Sequence, residues 1–269
     1  MSIQTTQAEL DDIFRRMSKD YGALNKKQQA YAIKEIGRIR SEVNDLLADY
    51  ADDDGIISRR RANMVIRELD GIEKSIRKNG EIIFEEIASD TSDWTSNRIA
   101  KISGVTISGA ATERVNKHVV KYVAKRFGDD GLVLSDRVWG LGADIREEIS
   151  SVIRSNIIRG EGIQKMIPEI RKVYDNETWK IRRLARTEGV TAHRAATSYN
   201  AVESDLVEYV QFHDGGPDKN HENHACYDLA NRDPYGKGRG VYKPNDTEIW
   251  MPHPQCTSYI SYILDERWL

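Results

Sequence analysis

The sequence has little of what extracellular and membrane proteins depend on. Only two of its 269 residues are cysteine, so a framework of several disulfides is excluded. No apolar run approaches the roughly 18 residues that identify a transmembrane helix, and no basic segment followed by an apolar one opens the sequence. We therefore expect neither a membrane span nor a secretory signal, and an intracellular protein whose thiols are reduced or bound to metal.

The overall charge is also small. Net charge is −3, so any contact with nucleic acid would depend on local basic patches instead of the field of the whole protein. Charged residues make up 31% and hydrophobic residues 39% of the chain, which is typical of a soluble, helix-rich protein. The length suffices for one large domain or two smaller ones.

Proline is nearly absent from most of the chain. Five of the six prolines follow residue 206, together with four of the six histidines and both cysteines. Because proline is excluded from helix interiors, the part after residue 206 cannot be helical in the way that the preceding part is. This change in composition predicts a loop-rich C-terminal module over residues 206–269.

Two segments of the N-terminal half have the heptad spacing of packed helices. They cover residues 24–50 and 57–88, and the sequence Asp-Asp-Asp-Gly at 52–55 separates them. Two heptad helices joined by a short turn predict an antiparallel hairpin. The seam is interpreted as core packing, with self-association or a partner helix as the alternative. Its apolar positions are Ala32, Ile36, Ile39, Val43, Leu46 and Tyr50, then Ala62, Val65, Leu69, Ile72, Ile76, Ile83 and Ile87.

Shorter helices and two strands complete the predicted fold, which is mainly α with a small α+β C-terminal module containing a short antiparallel strand pair. Alternating β-branched and aromatic residues predict a strand over 207–213, and residues 257–264 are its expected partner. The remaining helices are expected over 7–21, over 91–127 with a division at Gly104 and Gly109, from the N-cap Ser135 to Gly160, over 163–173 before a turn at Asp175 and Asn176, and over 181–201.

The last of these helices carries a charge on an otherwise small or apolar stripe. No residue three or four positions from Glu188 is basic, so its own helix offers no partner. Because an unpaired buried carboxylate is costly, we expect Glu188 to find its partner in another element, and we place that partner after the helix. The alternative is a half-buried stripe with a solvated carboxylate. The stripe comprises Ile181, Ala185, Glu188, Ala192, Ala195, Ala196, Tyr199 and Val202.

The C-terminal module concentrates residues that bind zinc. His224, Cys226, His253 and Cys256 form one set of two histidines and two cysteines, with His221 as a substitute for His224. Imidazole and thiolate are the preferred ligands of Zn²⁺, and a loop-rich module gains stability from such a crosslink. The spacing includes no CxxC, so ordinary packed side chains remain an alternative, as does a disulfide between the two cysteines.

A catalytic interpretation of the same loop is also open. His221, Asn223 and His224 superficially suggest a metal-dependent nuclease centre. However, no pair of acidic residues offers a second ligand set, and no nucleophile–base pair or Gly-rich phosphate loop accompanies these residues. We therefore expect a protein that is not an enzyme, with a nuclease or a toxin-like effector as the alternative.

Three stretches together resemble the phage Mu F-like minor head (head morphogenesis) proteins. GLVLSDRVWG at 131–140 is similar to the segment that precedes the family's shared module, and ARTEGVTAHRAA at 185–196 resembles its helical Ala-Arg-Thr-Glu motif. Residues 226–229 and 252–256 resemble the family's CxxCxxL and HPxCxC ending. The resemblance covers roughly residues 130–264, and it divides the chain into a helical region, 1–129, and a head-morphogenesis module, 130–269, that is helical over 130–205.

This chain departs from the family at two cysteines. The first cysteine of the family's CxxC falls on Asn223, and the last cysteine of HPxCxC falls on Ser258. If the family's cysteines bind metal, two ligands are replaced here. The matched positions that the resemblance marks as structural are Arg186, Thr187, Glu188, Asp228, Leu229 and Pro254.

The resemblance implies a virion component that acts through binding. Such proteins are present in few copies in the interior of the phage head, and in the host cytoplasm during assembly. They associate with the portal protein, with capsid or scaffold proteins and, in some members, with double-stranded DNA during genome delivery. Arg182, Arg183 and Arg194 are the candidates for contact with nucleic acid or a protein partner, and self-association would use the N-terminal helices.

Overall fold

The computed structural model describes residues 3–103, 108–128, 130–215, 225–251, 253–254 and 256–263. Over these residues the chain is mainly helical and ends in a small antiparallel sheet, as predicted. None of the helices described is long and apolar enough to span a membrane. The elements are α1 (Ile3–Ile36), α2 (Ile39–Tyr50), α3 (Arg59–Ser103), α4 (Gly109–Lys125), α5 (Leu134–Arg159), α6 (Ile163–Val202), β1 (Tyr209–His213), α7 (Ala225–Asn231), β2 (Val241–Tyr242), a short 3-10 helix (Thr247–Ile249) and β3 (Tyr259–Ile263).

The chain divides into two compact units, each assembled from separate segments. The first unit comprises residues 1–28, 85–129 and 185–269, and the second comprises residues 29–84 and 130–184. The predicted boundary between residues 129 and 130 is one of the points where the chain passes from one unit to the other. Helices α1, α3 and α6 each contribute to both units.

The second unit contains most of the heptad positions. Every predicted position of the second heptad segment is buried, from Ala62 to Ile87, and in the first segment the buried positions run from Ala32 to Val43. Beyond Val43 the buried side chain is Leu47, where Leu46 was expected. The turn that joins α2 to α3 is closed by the Asp52 carboxylate, which accepts the backbone N–H of Ile56 at 2.8 Å.

Several predicted helix ends are wrong. Helix α1 continues through residues 22–24 and ends at Ile36, so the helix predicted over 24–50 is divided before Ile39. Helix α3 continues beyond residue 88 to Ser103, and α6 continues through Asp175 and Asn176. Helix α5 begins at Leu134, so Ser135 lies inside its first turn instead of capping it. The Asp136 carboxylate accepts the backbone N–H of Val133 at 3.2 Å in its place. In each case local preference for a turn or cap was weaker than the packing of the longer helix.

The sheet lies in the first unit and has the strand order β2-β1-β3. Strand β1 pairs antiparallel with β3, with His213 opposite Tyr259 and Tyr209 opposite Ile263, so the predicted strand pair is confirmed. The additional strand β2 pairs with the other edge of β1. This arrangement places the segments that follow β1 and precede β3 next to each other.

Candidate metal centre and its supporting helix

The first-unit portion of α6 is buried on nearly every side. From Thr187 to Ser198 all but one residue is buried, and Ala192, Ala195 and Ala196 have no exposed surface. The predicted stripe is therefore buried up to Ala196, whereas Val202 at its end is 51% exposed. Polar side chains on a helix enclosed in this way must find most of their partners inside the protein.

Glu188 is paired with an arginine from another element, as predicted. It has no exposed surface, and its Oε2 lies 2.7 Å from Nη2 of Arg126, whose side chain is 4% exposed. Arg126 follows the last residue of α4. The predicted location of the partner, after α6, was therefore wrong: the arginine precedes α6 in the chain.

A buried polar network occupies the adjoining face of the same helix. The Thr95 hydroxyl donates to the backbone carbonyl of Thr91, so Nδ1–H of His193 donates to Thr95 Oγ1 at 2.8 Å. His193 also stacks on Tyr21 with ring centroids 4.5 Å apart. Burial, followed by the charge of Arg194, lowers the pKa of His193 to about 3, so the imidazole is neutral at physiological pH.

The glycine in this face allows two helices to approach closely. A Cβ atom at Gly189 would lie 2.5 Å from both Tyr21 Oη and Asn25 Nδ2, atoms of α1. Asn25 Nδ2 donates to Tyr21 Oη at 3.1 Å, and Gln28 Nε2 donates to Thr91 Oγ1 at 2.9 Å. Tyr21 thus belongs to a hydrogen-bonded layer against which α6 has no room for a side chain at this position.

Arg194 fastens α6 to the C-terminal module. It is 1% exposed, and its guanidinium donates to the backbone carbonyls of Ser258 at 3.0 Å, Trp250 at 3.1 Å and Cys256 at 3.1 Å. The prediction that Arg194 contacts nucleic acid or a partner is therefore incorrect, because the side chain is enclosed and its donors are used. Burial lowers the pKa of Arg194, while the thiols of Cys256 and Cys226 oppose that shift.

Cys226, His253 and Cys256 come together next to this arginine. Their ligand atoms all lie within 4.8 Å of one another, with His253 Nε2 3.3 Å from Cys226 Sγ. Both cysteines are buried and free, so the disulfide alternative is not realised. Cys226 is the second residue of α7 and shares its buried face with Leu229. Three of the four predicted ligands therefore form one cluster, while His224 and its substitute His221 lie outside the described residues, as does Asn223.

Hydrogen bonds orient two of the three donors. His253 Nδ1 lies 2.9 Å from the carbonyl oxygen of Pro254, so Nδ1 carries the proton and Nε2 presents its lone pair to Cys226. The Ser258 backbone N–H donates to Cys256 Sγ at 3.4 Å, and the Ser258 hydroxyl lies 2.9 Å from the same sulphur. Ser258 therefore supports the cluster through Cys256.

The thiol of Cys226 lies in an environment that disfavours its charge. Burial first, then Cys256 and the nearby carboxylate of Asp214, raise the pKa of the Cys226 thiol to about 12. Without a cation such a thiol remains protonated and is a poor nucleophile. The chemistry of the donor set, two sulphurs and an imidazole nitrogen, is that of a Zn²⁺ site.

The other predicted residues differ in their exposure. Arg182 and Arg183 are exposed, and thus accessible to a partner. Thr187 is 8% exposed, Arg186 is half-buried, and Asp228 is exposed on α7. Leu229 is buried, and its carbonyl accepts the hydroxyl of Tyr242 at 2.8 Å. Pro254 contributes through the carbonyl that orients His253.

The sequence signal that could have identified Arg194 as buried was present. His193 and Arg194 stand between Ala192 and Ala195, and small residues on both sides of a helix indicate that neighbouring elements approach it closely. Arg126, in contrast, has no distinguishing sequence context.

Comparison with known proteins found no matching protein family, curated protein or solved structure.

Proposed function

We propose that this chain is a minor head protein of a bacteriophage, located in the head interior and acting through binding to the portal. One observation carries the proposal. Two stretches of the resemblance, residues 185–196 and the ending that contains Cys226, His253 and Cys256, are joined in one unit by the three hydrogen bonds of Arg194. Residues that match the family's motifs, although they are far apart in the sequence, thus lie together in the fold.

The roles of these residues favour a structural protein over an enzyme. Three buried side chains already have partners: Glu188 forms an ion pair with Arg126, Arg194 donates to three carbonyls, and His193 is hydrogen-bonded to Thr95. Catalytic groups must reach a substrate, whereas these side chains hold helices and loops together. The motif therefore supports a rigid module that a head protein presents to its partners.

The exposed side of α6 supplies the candidate partner contact. Arg182 and Arg183 are exposed on consecutive positions, and both would meet phosphate or the acidic groups of a portal protein. Capsid or scaffold proteins and double-stranded DNA are the further partners that we propose, and self-association through the N-terminal helices would build a small assembly of this chain.

Co-expression with the portal protein of the same genome tests the proposal. We expect a complex that elutes as one species in size-exclusion chromatography. The double variant Arg182→Glu with Arg183→Glu should weaken this complex. The Arg126–Glu188 pair is left intact in this variant. A chain that never co-elutes with the portal would contradict the proposal. Metal-dependent cleavage of DNA or RNA by the purified chain, lost in Cys256→Ser, would instead establish the alternative, a nuclease or effector carried in the head.

A further inference from the structure

The three donor atoms of the cluster lie near the separations of a tetrahedral zinc site. With Zn–S near 2.3 Å and Zn–N near 2.0–2.1 Å, a sulphur and a nitrogen ligand stand roughly 3.5 Å apart and two sulphurs roughly 3.8 Å apart. The His253 Nε2 to Cys226 Sγ distance is 3.3 Å, and no pair in the cluster exceeds 4.8 Å. A shift of about 1 Å or less in the longest separation would bring all three onto one ion.

The sheet places a candidate for the fourth ligand, a carboxylate, next to a segment that contributes to the cluster. Strand β1 ends at His213, which stands opposite Tyr259, so the register continues with Asp214 beside Ser258. The chains remain in contact beyond that point, because a Cβ atom at Gly215 would lie 2.7 Å from the backbone nitrogen of Ser258. Asp214 is thereby held next to the segment that begins at Cys256.

One oxygen of the Asp214 carboxylate, Oδ1, is inaccessible to solvent and accepts no hydrogen bond from any of the residues that the structure describes. A buried carboxylate oxygen without a donor is unfavourable unless a cation meets it. Asp214 is also near enough to Cys226 for its charge to act on that thiol. An ion shared with Cys226 would satisfy this oxygen.

The buried charge of Arg194 favours an anionic site beside it. Among the described residues Arg194 forms no ion pair with a carboxylate, and its guanidinium donates to three neutral carbonyls although it is 1% exposed. Zn²⁺ with two thiolates, a neutral imidazole and water would be neutral and would leave this cation uncompensated. Replacing the water with a carboxylate gives the site one negative charge, which balances Arg194.

We propose that Asp214 completes a structural Zn²⁺ site with Cys226, His253 and Cys256. The outer contacts are those that such sites use: the second ring nitrogen of His253 donates to the carbonyl of Pro254, and the Ser258 N–H donates to Cys256 Sγ. The site crosslinks the end of β1, the start of α7 and the segment before β3. It depends on the geometry of this chain alone, and not on the proposed function.

Metal analysis of the full-length protein tests the site. We expect about one Zn²⁺ per chain after purification without added chelator, and Co²⁺ substitution should give the charge-transfer absorption of thiolate ligands and the intense visible bands of a tetrahedral ion. Cys226→Ser and Cys256→Ser should lose the metal. Asp214→Asn should lower Zn²⁺ affinity, measured against a competing chromophoric chelator, by at least about tenfold, the lower end of the loss that follows even from removing an outer contact.

Three matched variants isolate the role of Asp214. Asp205→Asn removes an exposed carboxylate from the same unit, Ser258→Ala removes the hydroxyl beside Cys256, and His224→Ala removes the histidine that the sequence suggested. Asp205→Asn and His224→Ala should leave affinity and the Co²⁺ spectrum unchanged, and Ser258→Ala should preserve the tetrahedral spectrum. Circular dichroism verifies that each variant retains its helices.

The outcomes that would overturn the proposal are distinct. A wild-type chain that holds no Zn²⁺ and gives no thiolate–Co²⁺ absorption would remove the site. Asp214→Asn with wild-type affinity, or loss of metal only in His224→Ala or Ser258→Ala, would remove Asp214 from it. A confirmed zinc site together with failure to bind the portal would overturn the proposed function and leave this inference standing.

Discussion

Removing the charge of Glu188 should destabilise the first unit far more than removing that of a surface glutamate that directly follows the same helix. In Glu188→Gln the shape of the side chain is kept, but Arg126 remains buried with an uncompensated charge. Breaking a buried pair from one side costs about 3–5 kcal/mol. At roughly 2–4 °C per kcal/mol for a domain of this size, the melting temperature should fall by on the order of 10 °C.

Glu203 provides a matched control for this experiment. Glu203 directly follows α6 and pairs with Arg114 of α4 at 2.6 Å, but the two side chains are 30% and 56% exposed. A surface pair contributes about 0.2–1 kcal/mol, so Glu203→Gln should lower the melting temperature by only a few degrees. The comparison therefore varies burial while the residue types, the partner elements and the separation stay nearly constant.

Replacing both members of the buried pair tests where the cost arises. Arg126 Nε and Nη1 are buried without a hydrogen-bond acceptor among the described residues, so the pair is incompletely satisfied. Arg126→Met with Glu188→Met should recover most of the stability lost in Glu188→Gln, because no unpaired charge is left. Thermal unfolding followed by far-UV circular dichroism measures all four proteins. Equal losses in Glu188→Gln and Glu203→Gln would refute the reasoning.

Three further predictions concern the same helix. Arg194→Lys should lower the free energy of unfolding by about 2–4 kcal/mol, because the single nitrogen of an ammonium cannot donate to all three carbonyls that the guanidinium contacts. The exposed control Arg183→Lys should change it by less than about 0.5 kcal/mol. Similar values for the two variants in denaturant titrations would contradict this prediction. Gly189→Ala should lower the free energy of unfolding by about 1–3 kcal/mol, because the added Cβ clashes with α1. Gly140→Ala, which has open space around its Cβ, should raise it by about 0.5–1 kcal/mol. A stabilising effect of Gly189→Ala in the same titrations would contradict the close approach of α1 and α6. The pKa of His193 is about 3 in the folded protein and 6.5 in the unfolded chain. As the pH falls between these values, only the unfolded chain gains the proton. The free energy of unfolding should therefore decrease by about 2 kcal/mol from pH 6.5 to pH 5. His193→Asn, which retains a donor to Thr95, should lack that part of the pH dependence, and an unchanged dependence would show that His193 is not its source.

Much of the fold could be predicted from periodicity. The heptad positions from Ala62 to Ile87 are buried because spacings of three and four place them on one helix face, and β1 and β3 pair as their alternating residues indicated. The wrong helix ends have a common cause. Asp175 and Asn176 favour turns in isolation, but α6 gains more from continuing, since helix propensity is a weak preference that packing overrides.

The candidate site was predictable in its residue types but not in its connections. Cys226, His253 and Cys256 were identified from their chemistry alone, because few side chains bind zinc. Their surroundings depend on contacts between residues far apart in the chain. Arg126 meets Glu188 across 62 positions, and Arg194 reaches Cys256 across another 62. No local pattern encodes such pairs. Asp214 has no such local signal either, since we infer its place near the cluster from the register that β1 and β3 establish.

Quantitative mass spectrometry of gradient-purified, DNA-filled particles from the source, or from its induced prophage, tests the proposal that this chain is a component of a phage head. We expect peptides of this chain at a few copies per particle, with the portal and the major capsid protein as internal references. Its presence only in empty precursor particles would make it an assembly factor. Its absence from both kinds of particle would contradict the claim.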